Sequence, residues 1–231
     1  MDCFKDKYNR FMRVLFIFFL LCGGCFMASG QTVADSLHYR KIYYMGGTGL
    51  SFPVGKTKNV LGTKLFSGSA GLDIALKDRR YFLSPVLHML TFSYDQQIND
   101  SRYNYMIENG RSNFYMLSLG AGKRRQFKHL NTYAYIGPLI GLVVEPRGNV
   151  VEGKFQMSNK YSLTAGGQMG VGADYKFSGF FLGAELGYMH NFRKVEGNPM
   201  QFITIMVGLK SDITSLSEKV TGVIGIETYK D

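Results

Sequence analysis

Alternating apolar and polar positions dominate the chain beyond Gln31, and the clearest run covers residues 161–177. One face of this run is apolar, and the other face carries small and polar side chains. The apolar face reads Tyr161, Leu163, Ala165, Gly167, Met169, Val171, Ala173, Tyr175 and Phe177, with a single lapse at the glycine. A period of two over 17 residues predicts a long β-strand, because successive side chains of a strand point to opposite faces.

Eight segments follow this pattern and predict eight strands. They cover residues 40–53, 63–77, 80–95, 111–123, 130–145, 161–177, 179–192 and 200–212. The connections alternate between long polar segments (54–62, 96–110, 146–160 and 193–199) and short ones (77–80, 123–129 and 177–179). Long loops at one rim and short turns at the other predict an all-β, eight-stranded antiparallel up-and-down transmembrane β-barrel over residues 40–212. Strands of 12 or more residues also exceed the usual length in soluble sheets.

The minor face of these strands is rich in glycine and serine and carries a few isolated polar groups. Asp73, Gln168, Asp174 and Glu185 are the predicted polar residues of the barrel interior. A buried carboxylate needs a cation or water beside it. The candidate cations are Lys64, Lys77, Lys123 and Lys176. We expect a polar network that plugs the lumen, with a conducting pore as the alternative.

The apolar face is expected to contact lipid, with aromatic residues near the strand ends as interfacial girdles. These aromatic residues are Tyr43, Tyr44, Phe52, Tyr81, Tyr94, Tyr133, Tyr161, Phe177, Tyr188 and Phe192. His88 is expected inside the barrel or near a bulge at Pro85, because a histidine facing lipid is costly. Pro138 predicts a second local irregularity, since proline lacks one ladder donor.

The composition agrees with an all-β chain. Hydrophobic residues make up 45% of the 231 residues and charged residues 19%, with 28 Gly, 33 Phe plus Tyr and no Trp. This argues against disorder, which needs high charge, and against a helical bundle, which glycine weakens. No apolar run beyond Gln31 approaches 18 residues, so a helical membrane protein is ruled out. A soluble periplasmic ligand-binding barrel remains an alternative.

The first 30 residues have the organisation of a signal peptide. Four bases precede a 15-residue apolar stretch that ends at Ala28, and cleavage is expected near Gly30/Gln31. The initiator is Met1 or Met12, and a lipoprotein site at Cys25 is a weaker alternative. Residues 31–39 then form a short periplasmic segment, and residues 213–231 a C-terminal tail of uncertain structure. The expected location is the outer membrane, after Sec-type export.

The mature chain is basic and contains no cysteine. Four of 27 Lys and Arg and two of 17 Asp and Glu lie in residues 1–30, which leaves 23 bases and 15 acids, a balance of +8. We expect contact with outer-membrane lipid and lipopolysaccharide and no nucleic-acid partner. Disulfides and thiolate metal sites are excluded. The long loops carry residues that suit sugars or lipopolysaccharide, or simply a solvated rim: Tyr103, Tyr105, Arg111, Arg147 and Lys154.

Catalytic and cofactor motifs are weak in this sequence. Residues 49–57 have glycines one residue too far apart for a phosphate-binding loop, and the four histidines lack metal-ligand spacing. Ser84 and His88 share a face but lie roughly 13 Å apart along an extended strand. We therefore predict no catalytic residue, no cofactor and no metal. A Ser-His-acid set assembled across strands stays open as the basis of a lipid-modifying enzyme.

Residues 133–141 (YAYIGPLIG) and 182–188 (LGAELGY), in an exported chain of this size, resemble the small outer-membrane β-barrel proteins of the Bacteroidota. The resemblance covers nearly all of the mature chain and implies the fold, while functions in that group are diverse. Our own expectation is a non-enzymatic structural, surface-binding or secretion-accessory role, with insertion by the barrel-assembly machinery. The alternatives are a lipid A deacylase or acyltransferase-like enzyme and a small porin-like channel. Barrels of this group usually end in an aromatic residue on the last strand, whereas here residues 213–231 follow that strand. These residues could contact a periplasmic partner.

Overall fold

Eight antiparallel strands close into a barrel in the computed structural model, which describes residues 42–177 and 180–213. The strands are β1 (Ile42–Pro53), β2 (Leu61–Ala75), β3 (Tyr81–Tyr94), β4 (Gly110–Gln126), β5 (Leu130–Val151), β6 (Lys154–Lys176), β7 (Phe180–Val195) and β8 (Asn198–Asp212). Each strand pairs with the next, and β8 pairs with β1. The predicted fold class is confirmed. The predicted signal peptide, the 31–39 segment and the tail beyond Ile213 lie outside the described residues.

The two-residue period of the sequence separates the inner face of the barrel from the outer face. On β6, Leu163 is 77% exposed and Val171 is 53% exposed, whereas Ser162, Gln168 and Asp174 are buried. The outward apolar side chains form a continuous set that we call the outer band. It contains Phe66, Leu87, Met89, Leu117, Leu119, Ile136, Ile140, Leu163, Met169, Val171, Leu182, Leu186, Ile205, Val207 and Leu209.

The prediction of a loop over residues 146–160 is wrong, because β5 and β6 both extend into this segment and pair there. The two strands pair as far as Val151 and Lys154, and Glu152 and Gly153 form the turn between them. Both turn residues have positive φ, 52° and 74°, as a two-residue type I′ hairpin turn requires. We call residues 145–160 the projecting hairpin. Its seven-residue arm on β5 extends roughly 20 Å beyond the outer band.

The predicted loop over residues 193–199 is also wrong for the same reason. Strands β7 and β8 continue to Val195 and Asn198, and Glu196 and Gly197 form the turn, with φ values of 51° and 75°. The remaining long connections are a 3-10 helix, Gly55–Asn59, and an irregular loop over residues 95–109. Within the described ranges, no helix has the length and apolar character needed to cross a membrane.

The expected irregularity at each proline is present as a gap in one of its two ladders, without a shift of register. The β2–β3 pairing is interrupted between Gly71/Val86 and Ile74/Leu83, where Pro85 lies, and the β4–β5 pairing between Ser118/Leu139 and Ala121/Ile136, where Pro138 lies. On its other side each proline pairs without interruption, Pro85 with Leu119 and Pro138 with Gly167. The register shifts lie elsewhere, between Thr63 and Ser67 on β2 and between Asn191 and Lys194 on β7. The second shift comes where β7 leaves β6, since the β6–β7 ladder runs only from Gly166 to Lys176.

Candidate functional site

Four charged side chains form a layer inside the barrel near its short turns. They are Asp73 on β2, Arg124 on β4, Asp174 on β6 and Lys210 on β8. Each lies two residues before the last residue of its strand, which is 75, 126, 176 and 212 respectively. The even-numbered strands all run toward the short-turn end. Residues at the same distance from the ends of these strands therefore lie at one level of the barrel, and all four side chains point inward.

The four groups make a continuous ion-pair network. Arg124 donates from Nη2 to Asp73 Oδ1 at 2.6 Å and from Nη1 to Asp73 Oδ2 at 3.1 Å. Lys210 Nζ lies 2.7 Å from Asp174 Oδ2 and 3.4 Å from Asp73 Oδ2. Asn131 Nδ2 donates to Asp174 at 3.2 Å. Two cations balance two carboxylates, which is what burial of charge requires. We call these four charged residues the charged layer.

The cations expected from the sequence are not the ones that pair with the interior carboxylates. Lys77, Lys123 and Lys176 are exposed at the short-turn rim, and Lys64 is exposed near the opposite end of β2. The cations that do pair with the carboxylates are Arg124 and Lys210. The alternation of β4 and β8 directs both of these side chains into the barrel.

Aromatic side chains from the odd-numbered strands support the charged layer. Tyr43 and Phe181 meet edge to face with 5.5 Å between ring centroids. The Arg124 guanidinium carbon lies 4.5 Å from the Phe82 ring, and Lys210 Nζ lies 4.2 Å from the Tyr133 ring. Such cation–π contacts stabilise buried cations.

Glu185 is the next carboxylate along the interior, and two tyrosines hold it. Tyr133 and Tyr135 donate from their hydroxyls to its two oxygens, at 3.0 and 2.7 Å. The structure thus places all four predicted interior residues inside the barrel, with Gln168 close to this level. Tyr133 was expected in the lipid-facing girdle together with Tyr43 and Tyr94, and this was wrong for all three. All three alternate in phase with the inward-pointing residues of their strands, and each is nearly fully buried.

His88 lies inside the barrel beside Ser118 of the neighbouring strand. His88 Nε2 is 3.1 Å from Ser118 Oγ, which donates to the Val86 carbonyl at 3.2 Å. The Nδ1 atom of His88 makes no hydrogen bond with a described carboxylate. The pair thus lacks the acid of a Ser-His-acid set and is enclosed by the barrel wall. A cavity of about 40 Å³ lies between His88 and Glu185, room for a few water molecules.

Apolar side chains pack together in the half of the interior nearer the long loops, where the sequence had suggested mainly small and polar side chains. Phe92 stacks on Phe202 with centroids 4.6 Å apart, and Phe114 meets them edge to face at 5.4 and 5.1 Å. We call these three rings the aromatic plug. Methionine and leucine side chains pack around it: Leu90, Met116, Leu139, Met189, Met200 and Met206. The interior is therefore charged at one end and apolar at the other.

Arg147 forms a second buried ion cluster above the aromatic plug. Its Nη2 lies 2.7 Å from Glu145 and 2.9 Å from Glu196, and its Nη1 donates to the Tyr94 hydroxyl. Glu196 also accepts hydrogen bonds from the backbone N–H of Ile98, at 2.6 Å, and of residue 97. Arg147 was expected on an exposed loop but is 1% exposed, because the 95–109 loop covers this part of β5.

The long-loop end also contains two carboxyl groups with shifted pKa values, both beyond the outer band. Burial raises the pKa of Glu145 above its ordinary value, and the adjacent Arg147 only partly opposes this. Hydrogen bonds from Arg102 and Lys160 hold the pKa of Asp100 well below its usual range. Asp100 lies 3.1 Å from Lys160 Nζ, so it ties the 95–109 loop to β6.

Metal-binding clusters are absent from residues 42–177 and 180–213, in the sense that no three His, Cys, Asp or Glu side chains converge there. The interior therefore offers ion pairs, two hydrogen-bonded tyrosines and packed aromatic rings.

The solved structures that are similar to this barrel include the following two. The major outer membrane protein of Thermus thermophilus matches over 75% of this chain and 99% of its own, with 12% identity and a TM-score of 0.52. Neisserial surface protein A matches over 74% of this chain and 96% of its own, with 13% identity and a TM-score of 0.48. No protein-family model and no curated protein sequence matches the chain. At these identities the match with the Thermus protein shows the fold alone, which is the eight-stranded barrel of an outer-membrane protein.

Proposed function

We propose that the chain is an integral outer-membrane protein whose lumen does not conduct and whose long-loop end binds surface glycans. In this arrangement both termini of the barrel face the periplasm, because the strand number is even. The observation that carries the proposal is the combination of an apolar exterior with an interior filled by balanced charges and aromatic rings.

The outer band supports the membrane part of the proposal. Large apolar side chains such as Leu163 and Leu186 are more than half exposed on a closed barrel. A soluble barrel would present polar side chains at these positions, because a contiguous exposed apolar surface of this size is rare in soluble monomers. Hydrocarbon contact explains the exposed Leu, Ile and Val side chains.

Spin labels test this placement directly. Nitroxides at Leu163, Val171 and Leu186 should be accessible to oxygen and protected from a water-soluble nickel reagent in reconstituted vesicles. A label at exposed Lys154 on the projecting hairpin is the matched control and should show the opposite behaviour. Accessibility to nickel at the three band positions would show that water and not lipid covers this face.

The filled interior supports a barrel that does not conduct. The charged layer lies across the lumen near the short-turn end, and the rings of the aromatic plug pack in the opposite half. In planar bilayers the refolded protein should show no steady channels. Steady channels that disappear on Glu185→Gln would contradict this and favour the porin-like alternative.

The projecting hairpin and the 95–109 loop support the glycan-binding part. Tyr105 and Phe155 lie edge to face with centroids 5.1 Å apart, and each is about half exposed. Exposed aromatic rings stack on sugar rings, and nearby bases such as Lys154 complement the phosphates of a lipopolysaccharide core. Strand β5 holds this part of the 95–109 loop, since Tyr105 forms a β-bridge with Gly148.

Calorimetric titration with a phosphorylated lipopolysaccharide core oligosaccharide tests this binding. Phe155→Ala and Tyr105→Ala should each weaken binding at least about fivefold, the typical cost of removing an aromatic contact. Ile98→Ala, also an exposed apolar residue at this end, is the control and should leave binding unchanged. Equal binding by all variants would remove the glycan role.

A non-enzymatic role is part of the proposal, and lipid A tests it. Mass spectrometry of lipid A from cells with and without the protein should give the same acyl pattern. A changed pattern that reverts with Ser118→Ala would instead support the lipid-modifying alternative.

A further inference from the structure

Seven bases form an arc on the short-turn rim of the barrel. We call them the basic arc, and all seven are exposed: Lys77, Arg79, Arg80, Lys123, Arg125, Lys128 and Lys176. Asp78 is an exposed carboxylate within this stretch, and it pairs with Arg80 at 2.7 Å. The charged layer directly inside the rim is neutral, since it contains two cations and two carboxylates. The positive charge of the arc is therefore not cancelled by the charged layer.

The arc is continuous because the turns that carry it are hydrogen-bonded to their neighbours. The backbone N–H of Arg124 donates to the carbonyl of Arg80 at 2.7 Å, which joins the 76–80 turn to the end of β4. The backbone N–H of Lys176 donates to the carbonyl of His129 at 2.8 Å, which joins the 127–129 turn to the end of β6. The bases thus follow one side of the rim, from β2 to β6.

The other side of the same rim lacks such bases among the described residues. Phe180 begins β7, and Ser211 and Asp212 end β8. At the long-loop end two of the bases share a carboxylate, since Arg102 and Lys160 both contact Asp100. Within residues 42–177 and 180–213, the basic arc is therefore a concentration of positive charge along the part of the short-turn rim between β2 and β6.

Exposed aromatic rings border the arc on the side of the outer band. Lys123 Nζ lies 5.8 Å from the Tyr81 ring, and the Arg125 guanidinium lies 5.3 Å from the Phe127 ring. Both rings are more than 40% exposed. Aromatic rings next to an apolar band mark the level of lipid head groups, and long basic side chains reach the same level.

We propose that the basic arc binds the head groups of anionic phospholipids, with phosphatidylglycerol as the representative, in the leaflet that contacts the short-turn rim. The inference rests on the proposed membrane placement. Phosphate diesters complement the lysines and arginines, and the acyl chains lie against the outer band. Most bases of the arc lie on the 76–80 turn, at the end of β4 and on the 127–129 turn, so the preferred lipid position is beside β3 and β4.

The test measures the preference of the full-length protein for spin-labelled phosphatidylglycerol over spin-labelled phosphatidylcholine in phosphatidylcholine vesicles. Electron paramagnetic resonance reports the fraction of each lipid immobilised at the protein surface. The wild-type protein should prefer the anionic lipid by roughly three- to tenfold at low ionic strength, and about 1 M NaCl should weaken this preference.

Matched triple variants locate the preference. Lys123→Gln/Arg125→Gln/Lys128→Gln should reduce the preference to near one. Lys56→Gln/Lys58→Gln/Lys154→Gln removes three exposed bases at the long-loop end and should retain it. If the first triple variant does not refold, Lys128→Gln and Arg125→Gln alone should each give a partial loss.

The outcomes separate the two proposals. Immobilised lipid that shows no preference, or a preference that survives in the arc variant, overturns anionic-lipid binding while leaving the membrane placement intact. The absence of any immobilised lipid overturns the membrane placement itself.

Discussion

The guanidinium of Arg124 holds the carboxylate of Asp73 through two hydrogen bonds, at 2.6 and 3.1 Å, although β3 separates their strands. The contact passes through the interior and not along the barrel wall. It ties non-neighbouring strands together and neutralises two groups that would otherwise be buried alone.

Removing one member of this pair should therefore destabilise the barrel. We expect Arg124→Leu to lower the free energy of unfolding by about 3 kcal/mol, because the buried carboxylate of Asp73 then keeps, among the described residues, only Lys210, at 3.4 Å, as a neighbouring cation. Urea unfolding in lipid vesicles measures the change. The double variant Arg124→Leu/Asp73→Leu should be more stable than the single one, and a less stable double variant would contradict the argument. Arg80→Leu, which removes an exposed pair, should have little effect.

The aromatic plug gives a second prediction through Phe202. Phe202→Ala should cost about 3–5 kcal/mol of unfolding free energy, since it opens a cavity among packed rings. Phe192→Ala is the matched control, because Phe192 is 72% exposed on the outer face. Unfolding in the same vesicles compares the two. Equal losses would mean that the interior rings are not tightly packed.

The Arg147 cluster gives a third prediction, about the 95–109 loop. Arg147→Leu leaves Glu145 and Glu196 buried without their cation, so Glu196 should move and release the backbone N–H of Ile98. Hydrogen exchange at residues 97 and 98 should accelerate at least about tenfold, while exchange in β4 stays slow. Arg147→Lys should restore part of the protection. Unchanged exchange in the leucine variant would show that the cluster does not hold the loop.

Asp100 gives a prediction about pH. The pKa of Asp100 is lower in the folded state than in the unfolded state, where it is about 3.9. The stabilisation by Asp100 is therefore present above the unfolded-state pKa and is lost only as the pH falls through the lower folded-state pKa. Protection of the 95–109 loop from hydrogen exchange, corrected for intrinsic rates, should therefore be about the same at pH ~7 and pH ~4. Asp100→Asn should reduce protection at both pH values. Loss of wild-type protection already at the acidic value would contradict the lowered pKa.

The strand number, the barrel closure and the direction of the interior carboxylates could be predicted from the sequence, because a two-residue period assigns every side chain to a face. Asp174 illustrates this, since alternation along β6 alone directs it inward. The same rule directs Lys210 inward on β8. Alternation along one strand shows which of its side chains point inward. The ion pairs also depend on which residues of different strands lie at the same height in the barrel, and alternation within a strand does not give that.

The projecting hairpin could not be predicted from local patterning. Pro146, Gly148 and Asn149 are residue types depleted in strands, and the segment contains many polar side chains. Pairing with β6 overrides these preferences, helped by a turn in which Gly153 accepts a positive φ. The burial of Arg147 depends in turn on the covering loop, which leaves no periodic signal in the sequence.

The placement of the charged layer on alternate strands also bears on assembly. Lys210 is on the last strand, and it reaches Asp73 of the second strand only after β8 has joined β1. Before that step the charged layer of the nascent sheet holds two inward carboxylates and a single compensating base. Ring closure and electrical neutrality of this layer are thus reached together, and an unclosed sheet carries an internal charge imbalance that only its final strand removes.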